Sequence, residues 1–149
     1  MATKNKFEFD KVIKKLKQAK VNVPVRIANV ARKYFVNTFQ VSGFDKKKWE
    51  EVDRRIPGTS AYKYPQKPKA SSRTSPILVR TGKLRREVNN SIRSTTWNEI
   101  KLGVSDATPY AQYLNEGTDK MEQREFMGNS KELNDLIKNE LKTQIKKIF

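Results

Sequence analysis

The sequence predicts an α+β fold: a small antiparallel β-sheet covered by N- and C-terminal helices, with a long extended arm between them. Three observations predict it. Apolar residues recur at helical spacing over residues 10–39 and 131–148. They alternate one by one over 100–105, as in a half-buried strand. Between these, residues 43–76 carry little periodicity and many breakers: Gly43, Pro57, Gly58, Pro65, Pro68 and Pro76. A chain of 149 residues is long enough for one domain with a core. It divides into N-terminal helices over 1–42, a basic extended arm over 43–76, and a sheet with a C-terminal helix over 77–149, all one domain. An apolar content of 36% against 32% charged residues, with a mean hydropathy of −0.83, implies a small core and much surface left to water or partners.

In the first helix, Asp10 is placed to cap "FDKVIKKLKQAK", where Val12, Ile13, Leu16 and Ala19 form an apolar stripe and the lysines face water. Asn22 followed by Pro24 marks a second helix start, after which Ile27, Val30, Ala31, Phe35 and Thr38 recur up to Phe39. Basic amphipathic helices also suit a membrane surface, but a sheet later in the chain is expected to cover both stripes. Ser42-Gly43 ends the pattern. In the arm, "YKYPQKPKASSRTSP" mixes lysine, proline and tyrosine in the manner of a segment that orders against a neighbour. Trp49 in "DKKKWEEVDRR" is the expected anchor holding the arm to the body, since a lone aromatic makes no base-stacking platform.

After the arm comes "SPILVRTGKLRREV", residues 75–88, an apolar run read as a strand that turns into basic residues at Thr81-Gly82. It is no phosphate loop: the glycine required five residues before Gly82 is Ile77, and Leu84 stands where a magnesium-binding hydroxyl belongs. It reads instead as a turn of helix with Thr81 as N-cap and Leu84 and Val88 on its buried side. Lys83, Arg85 and Arg86 then crowd the positive end of a helix dipole, an arrangement that invites an anion or a neighbour's carboxylates. "NSIRSTTWNEIKLGVS" reads as a hairpin turning at Asn98-Glu99, and Pro109 opens a short helical turn closed by Gly117, with Tyr110, Ala111 and Leu114 packing on the sheet. The stretch carrying Glu116, Asp119, Glu122 and Glu125 gives the C-terminal half an acidic patch able to meet basic residues of another copy. Ser130 caps the last helix, with Leu133, Leu136, Ile137, Leu141, Ile145 and Ile148 as its stripe.

Composition limits the chemistry. The chain has no cysteine and no histidine, which excludes disulfides, thiolate chemistry, ordinary zinc sites and imidazole catalysis. No stretch approaches the roughly 18 apolar residues of a membrane span, and "MATKNKFEFDK" lacks the apolar run of a signal peptide; no membrane is expected as a partner. Glu99-Ile100-Lys101 matches the acid-x-lysine element of metal-dependent nucleases, with Glu87 as a second magnesium ligand, but the acid expected before it is missing and Glu99 falls in a turn. No enzyme and no cofactor is expected. The net charge of +16 is uneven: residues 1–80 hold 20 Lys/Arg against 6 Asp/Glu, and residues 81–149 hold 12 against 10. Such a pole attracts polyanions or docks on acidic protein. The residues expected to contact subunits or DNA are Lys46, Lys47, Lys48, Trp49, Lys63, Lys67, Lys69, Lys83, Arg85 and Arg86.

Four pieces in order, "ANVARKYFVNTF" followed by an arm with Trp49, "ILVRTGKLRREV", "LGVSDATPYAQYLNEGT" and "REFMGNS" before a final amphipathic helix, resemble the virion morphogenesis, or tail completion, family of tailed bacteriophages, which includes Mu-like and neck proteins. The resemblance spans roughly residues 25–149. Where that family usually has arginine-proline-phenylalanine, this chain has Arg124-Glu125-Phe126. The resemblance implies a non-enzymatic protein made in the host cytoplasm and built into the virion as a homo-oligomeric ring at the head-tail junction. It would join the portal or connector to the tail around the DNA channel. A freestanding basic nucleic-acid-binding protein is the alternative.

Overall fold

The computed structural model describes residues 8–66 and 73–149. One helix organises it. Helix α1 runs without interruption from Phe9 to Val41, passing through Pro24 where two helices were expected. An internal proline removes a backbone hydrogen bond and costs about 3 kcal/mol. It is tolerated here because Val23, Pro24, Ala28, Ala31, Phe35 and Phe39 make one buried line across it. Packing of that line outweighs local propensity. Glu8, not Asp10, is the N-cap; Asp10 sits within the first turn, where its charge still suits the dipole.

Ser42 adopts a left-handed conformation (φ 51°) and returns its N–H to Thr38 O, closing α1 where the sequence predicts. The arm then departs from expectation, because its first residues fold back on the body. β1 (Gly43–Phe44) pairs antiparallel with β2 (Lys47–Lys48). Asp45 and Lys46 both have positive φ, 47° and 67°, as in the mirror-image turns that suit hairpin twist. Gly43 is required by close approach: a Cβ there would lie 2.5 Å from Lys47 O. Trp49 follows and is buried. Its indole N–H donates to Glu125 O at 2.8 Å and its ring meets Phe39 edge-on at 5.9 Å, so it is the anchor expected.

Residues 50–66 are turn-rich, with a 3-10 turn at Asp53–Arg55 and helix α2 at Ser60–Lys63, capped by Thr59. Arg54 donates to the carbonyls of Ser75 and Pro76 (3.0 and 2.9 Å). The Arg73 guanidinium lies 3.9 Å over the Tyr62 ring and donates to Tyr62 O. Over its described residues the segment is thus a loop stitched to itself, and an extended arm is not seen. Two arginines supply the cross-ties that lone prolines do not reveal.

The run Ile77-Leu78-Val79 forms no strand. Ile77 is buried, but Leu78 has φ 60° and Val79 N–H bonds back to Pro76 O, making a turn. α3 (Lys83–Asn89) starts from Gly82 in a left-handed conformation, not from Thr81, whose hydroxyl accepts the Lys83 N–H at 3.3 Å. Leu84 and Val88 are buried as expected. β3 (Ile92–Thr95) and β4 (Ile100–Leu102) form the expected hairpin with an irregularity at Arg93, but it turns at Trp97-Asn98 and not at Asn98-Glu99, because Thr96 and Glu99 pair reciprocally through their backbones to close the tip. The two ribbons, β1–β2 and β3–β4, are separate, so the expected single sheet is two two-stranded pieces. α4 (Tyr110–Glu116) starts at Pro109 and ends at Gly117 (φ 75°), and α5 (Lys131–Ile148) is capped by Ser130, which accepts Leu133 N–H at 3.2 Å.

α1 packs against α3, α5, β1 and the β3–β4 ribbon. The core gathers around the C-terminal half of α1: Phe35, Phe39, Phe44, Trp49, Leu84, Val88, Phe126 and Leu133. The sheet does not cover the first stripe of α1: Ile13 and Leu16 remain 46% and 45% exposed. On α5, Leu133 is buried while Leu136 and Ile145 are exposed.

Candidate interaction surface

The expected contact residues Lys46, Lys47 and Lys48 share one surface feature. They are exposed on the β1–β2 hairpin and border a groove of about 540 Å³ between α1, that hairpin and the start of α5. Val30, Val41 and Leu136 give it apolar lining, Lys33 adds a fourth ammonium, and the carboxylates of Asp45 and Glu132 also line it. Four lysines against two carboxylates leave the groove cationic, which with its apolar lining suits an acidic, partly apolar protein segment.

A polar network sets the hairpin's position. Ser130 Oγ donates to Asp45 Oδ1 at 2.8 Å, while the Tyr34 hydroxyl lies 2.9 Å from Ser130 Oγ and 3.2 Å from Glu132 Oε2 and accepts the Asp45 N–H at 3.3 Å. Three segments, α1, the hairpin turn and the α5 cap, are joined there. The Ser130 hydroxyl holds the Asp45 carboxyl below the usual aspartate range, helped by backbone N–H groups of Glu132 and Lys131. Burial raises the Tyr34 phenol. Burial also raises Glu125, and the Asp45 charge adds to that while Lys47 opposes it.

These shifts give opposite signs. Asp45, lowered in the folded state, stabilises the fold above the ordinary value of 3.8 and loses that contribution as pH falls through its folded pKa. Glu125, raised above 4.5, opposes folding while ionised and is relieved as pH falls through its folded pKa. Asp45→Asn is therefore expected to lower the urea midpoint by a constant amount at neutral pH. That gap from wild type should close below pH 3.8, as followed by denaturation at a series of pH values.

In the Lys83, Arg85 and Arg86 cluster, Lys83 and Arg86 are exposed and also bond to turns of the chain. Lys83 Nζ donates to Ala107 O at 2.7 Å, Arg86 donates to Thr81 O at 3.2 Å, and Arg85 is half-buried. Each of these two cations thus gives one donor to a carbonyl of the chain's own turns and keeps others facing solvent. With Gly82 as a left-handed cap, α3 is also a single short element with no side-chain cap. Lys63 is exposed at the end of α2, distinct from the hairpin, and Lys67 and Lys69 lie outside the described residues. Trp49, as the buried anchor, contributes to the interior and not to a surface.

Sequence reasoning missed Asn115. Its Oδ1 accepts the N–H groups of Phe126 and Met127 (2.9 and 3.0 Å) and its Nδ2 donates to Met127 O at 2.8 Å. Together with the Trp49 bond to Glu125 O and the Arg124 bonds to Glu50 and Glu51 carbonyls, it fixes residues 124–127 between α4 and the hairpin. Nothing in a lone asparagine inside "YAQYLNEGT" distinguishes it from a surface residue.

Glu99 and Glu87, the residues of the nuclease-like element, each have a partner within the chain. Glu99 pairs with Lys101 at 2.9 Å and Glu87 accepts the Ser105 hydroxyl. Among the described residues no three acidic side chains group in a way that could hold a metal ion. Among them, too, no helix is long and apolar enough to cross a membrane. A scan of protein-family models and searches of curated proteins and of solved structures found no match to this chain.

Proposed function

We propose that this chain is a structural, non-enzymatic virion protein of a tailed bacteriophage, a ring subunit at the head-tail junction that joins the portal-connector complex to the tail around the DNA channel. The observation that carries the reading is the amount of apolar side chain left outside a core confined to one half of α1. Ile13, Leu16, Val21, Trp97, Ile145 and Phe149 are each at least 45% exposed on a chain of net charge +16. Surfaces of that kind suit neighbouring proteins better than a small substrate. The order of the four sequence pieces supplies the rest of the reading. Within it, the lysine-rimmed groove is a contact for an acidic neighbour.

Removing the protein from its phage is expected to leave filled heads and finished tails unjoined. Restoring it as Lys46→Glu, Lys47→Glu, Lys48→Glu should leave them unjoined still. Because all three lysines are exposed, the isolated variant should unfold within about 0.5 kcal/mol of wild type per substitution. Normal particles from the triple variant would refute the role given to the hairpin. The alternative, a freestanding nucleic-acid-binding protein, is favoured by the +14 balance of residues 1–80. It requires DNA affinity of the isolated chain to fall steeply with salt, in proportion to the phosphates neutralised.

A further inference from the structure

We propose that copies of this chain bind head to tail, an apolar shelf on one copy receiving an acidic aromatic ridge on the next. The shelf lies at the N-terminal end of α1. A cavity of about 370 Å³ is lined there by Leu16, Ala19 and Val23 of α1, Trp97 of the β3–β4 tip, and Leu141 and Ile145 of α5. Trp97 and Ile145 are 57% and 53% exposed, so the described residues leave this surface open. Lys20 borders it and, among the described residues, no carboxylate lines it; next in sequence to its apolar residues, Lys17, Lys142 and Lys146 are exposed, while Glu140 is half-buried and accepts from Gln144.

The ridge is built from α4 and the turn after it. Tyr110, Tyr113 and Glu116 follow at intervals of three along one side of α4, while Ala111 and Leu114 face the core. Tyr113 and Met121 are exposed, and Glu116, Asp119 and Glu122 lie beside them. Of the two cations in 116–125, Arg124 is folded back onto the Glu50 and Glu51 carbonyls, leaving Lys120.

Position decides the rest. Asn115 and Phe126 fix the ridge near Phe39, whereas the shelf uses Leu16 and Val23. At about 1.5 Å per residue these levels of α1 are roughly 24–35 Å apart, so a chain's own ridge does not reach its shelf. Two shelves pairing symmetrically would bring like lysines together. A ridge brings opposite charge and apolar rings, and the resulting contact is heterologous, which propagates into rings or filaments. The proposal rests on the assembly reading above in taking a second copy as the occupant.

Two full-length variants test it by sedimentation velocity: a shelf variant, Trp97→Asp with Ile145→Asp, and a ridge variant, Tyr113→Ser with Met121→Lys. Every changed side chain is at least 40% exposed, and thermal melts confirm folding. Wild type is expected to self-associate. Each variant alone should do so at least ~30-fold more weakly, and the equimolar mixture should form a one-to-one dimer through its single intact contact. A monomeric wild type, a mixture that stays monomeric, or either variant assembling like wild type overturns the proposal. So does a ridge variant that associates while the shelf variant does not, since the shelf would then be meeting another shelf. If the shelf variant still enters joined particles, this contact is wrong while the virion role stands.

Discussion

Phe126→Ala is expected to destabilise the protein more than any other single truncation, by about 3–5 kcal/mol. Phe126 is 2% exposed, its ring lies 5.7 Å from Phe39, and Phe39 in turn carries Trp49. Deleting it removes the layer between the C-terminal half of α1 and residues 124–127, and the backbone there cannot collapse into the gap because Asn115 and Trp49 hold it. A domain of this size is stable by only some 5–15 kcal/mol. The thermal midpoint should fall by roughly 10–20 °C. Phe126→Leu, which keeps most of the volume, should recover more than half of the loss. A midpoint within 2–3 °C of wild type for the alanine variant, about 1 kcal/mol, would show that the core is centred elsewhere.

The second large effect is expected at Asn115. Asn115→Leu removes one acceptor and one donor that serve three backbone groups of Phe126 and Met127. Each buried group left without a partner costs about 1–3 kcal/mol. The total should therefore reach about 2–5 kcal/mol after partial hydration of Met127, which is only half-buried. Asn115→Asp makes the assignment specific: a carboxylate still accepts both N–H groups but cannot donate to Met127 O. It should lie between wild type and Asn115→Leu in urea midpoint. Hydrogen exchange at the Phe126 and Met127 amides should speed up strongly in the leucine variant and little in the aspartate variant. Equal exchange in the two would deny the side-chain bracket.

The C-terminal half of the fold was the more legible in the sequence. Ser130, the apolar period after it, the alternation of Ile100 and Leu102, and the Pro109 and Gly117 brackets all act locally, through hydrogen bonds or dihedral preferences within a few residues. Trp49 was legible as an anchor because a large aromatic in a basic, turn-rich segment has few other uses.

What was hidden depends on distant partners. Pro24 reads as a helix start, and only the burial of residues on both sides of it keeps α1 whole. The β1–β2 hairpin turns on Asp45-Lys46 without glycine at either central position, and its support comes from Ser130, Tyr34 and Glu132, up to 98 residues away from one another. The bond from Lys83 to Ala107 O was hidden as well, because a carbonyl acceptor 24 residues on leaves no mark in composition. The lysines of the candidate groove were named from charge alone; the apolar lining beside them, from α1 and α5, could not be seen before those helices were placed together.

The claim that this chain acts by being built into a particle is tested most directly by locating it in purified virions, through mass spectrometry of the particles joined to cryo-electron microscopy of their necks. A fixed number of copies per virion, forming a ring of density at the head-tail junction into which this fold docks, is the expected result. Joined, infectious virions of a phage that encodes this chain, yet holding no copy of it, would contradict it.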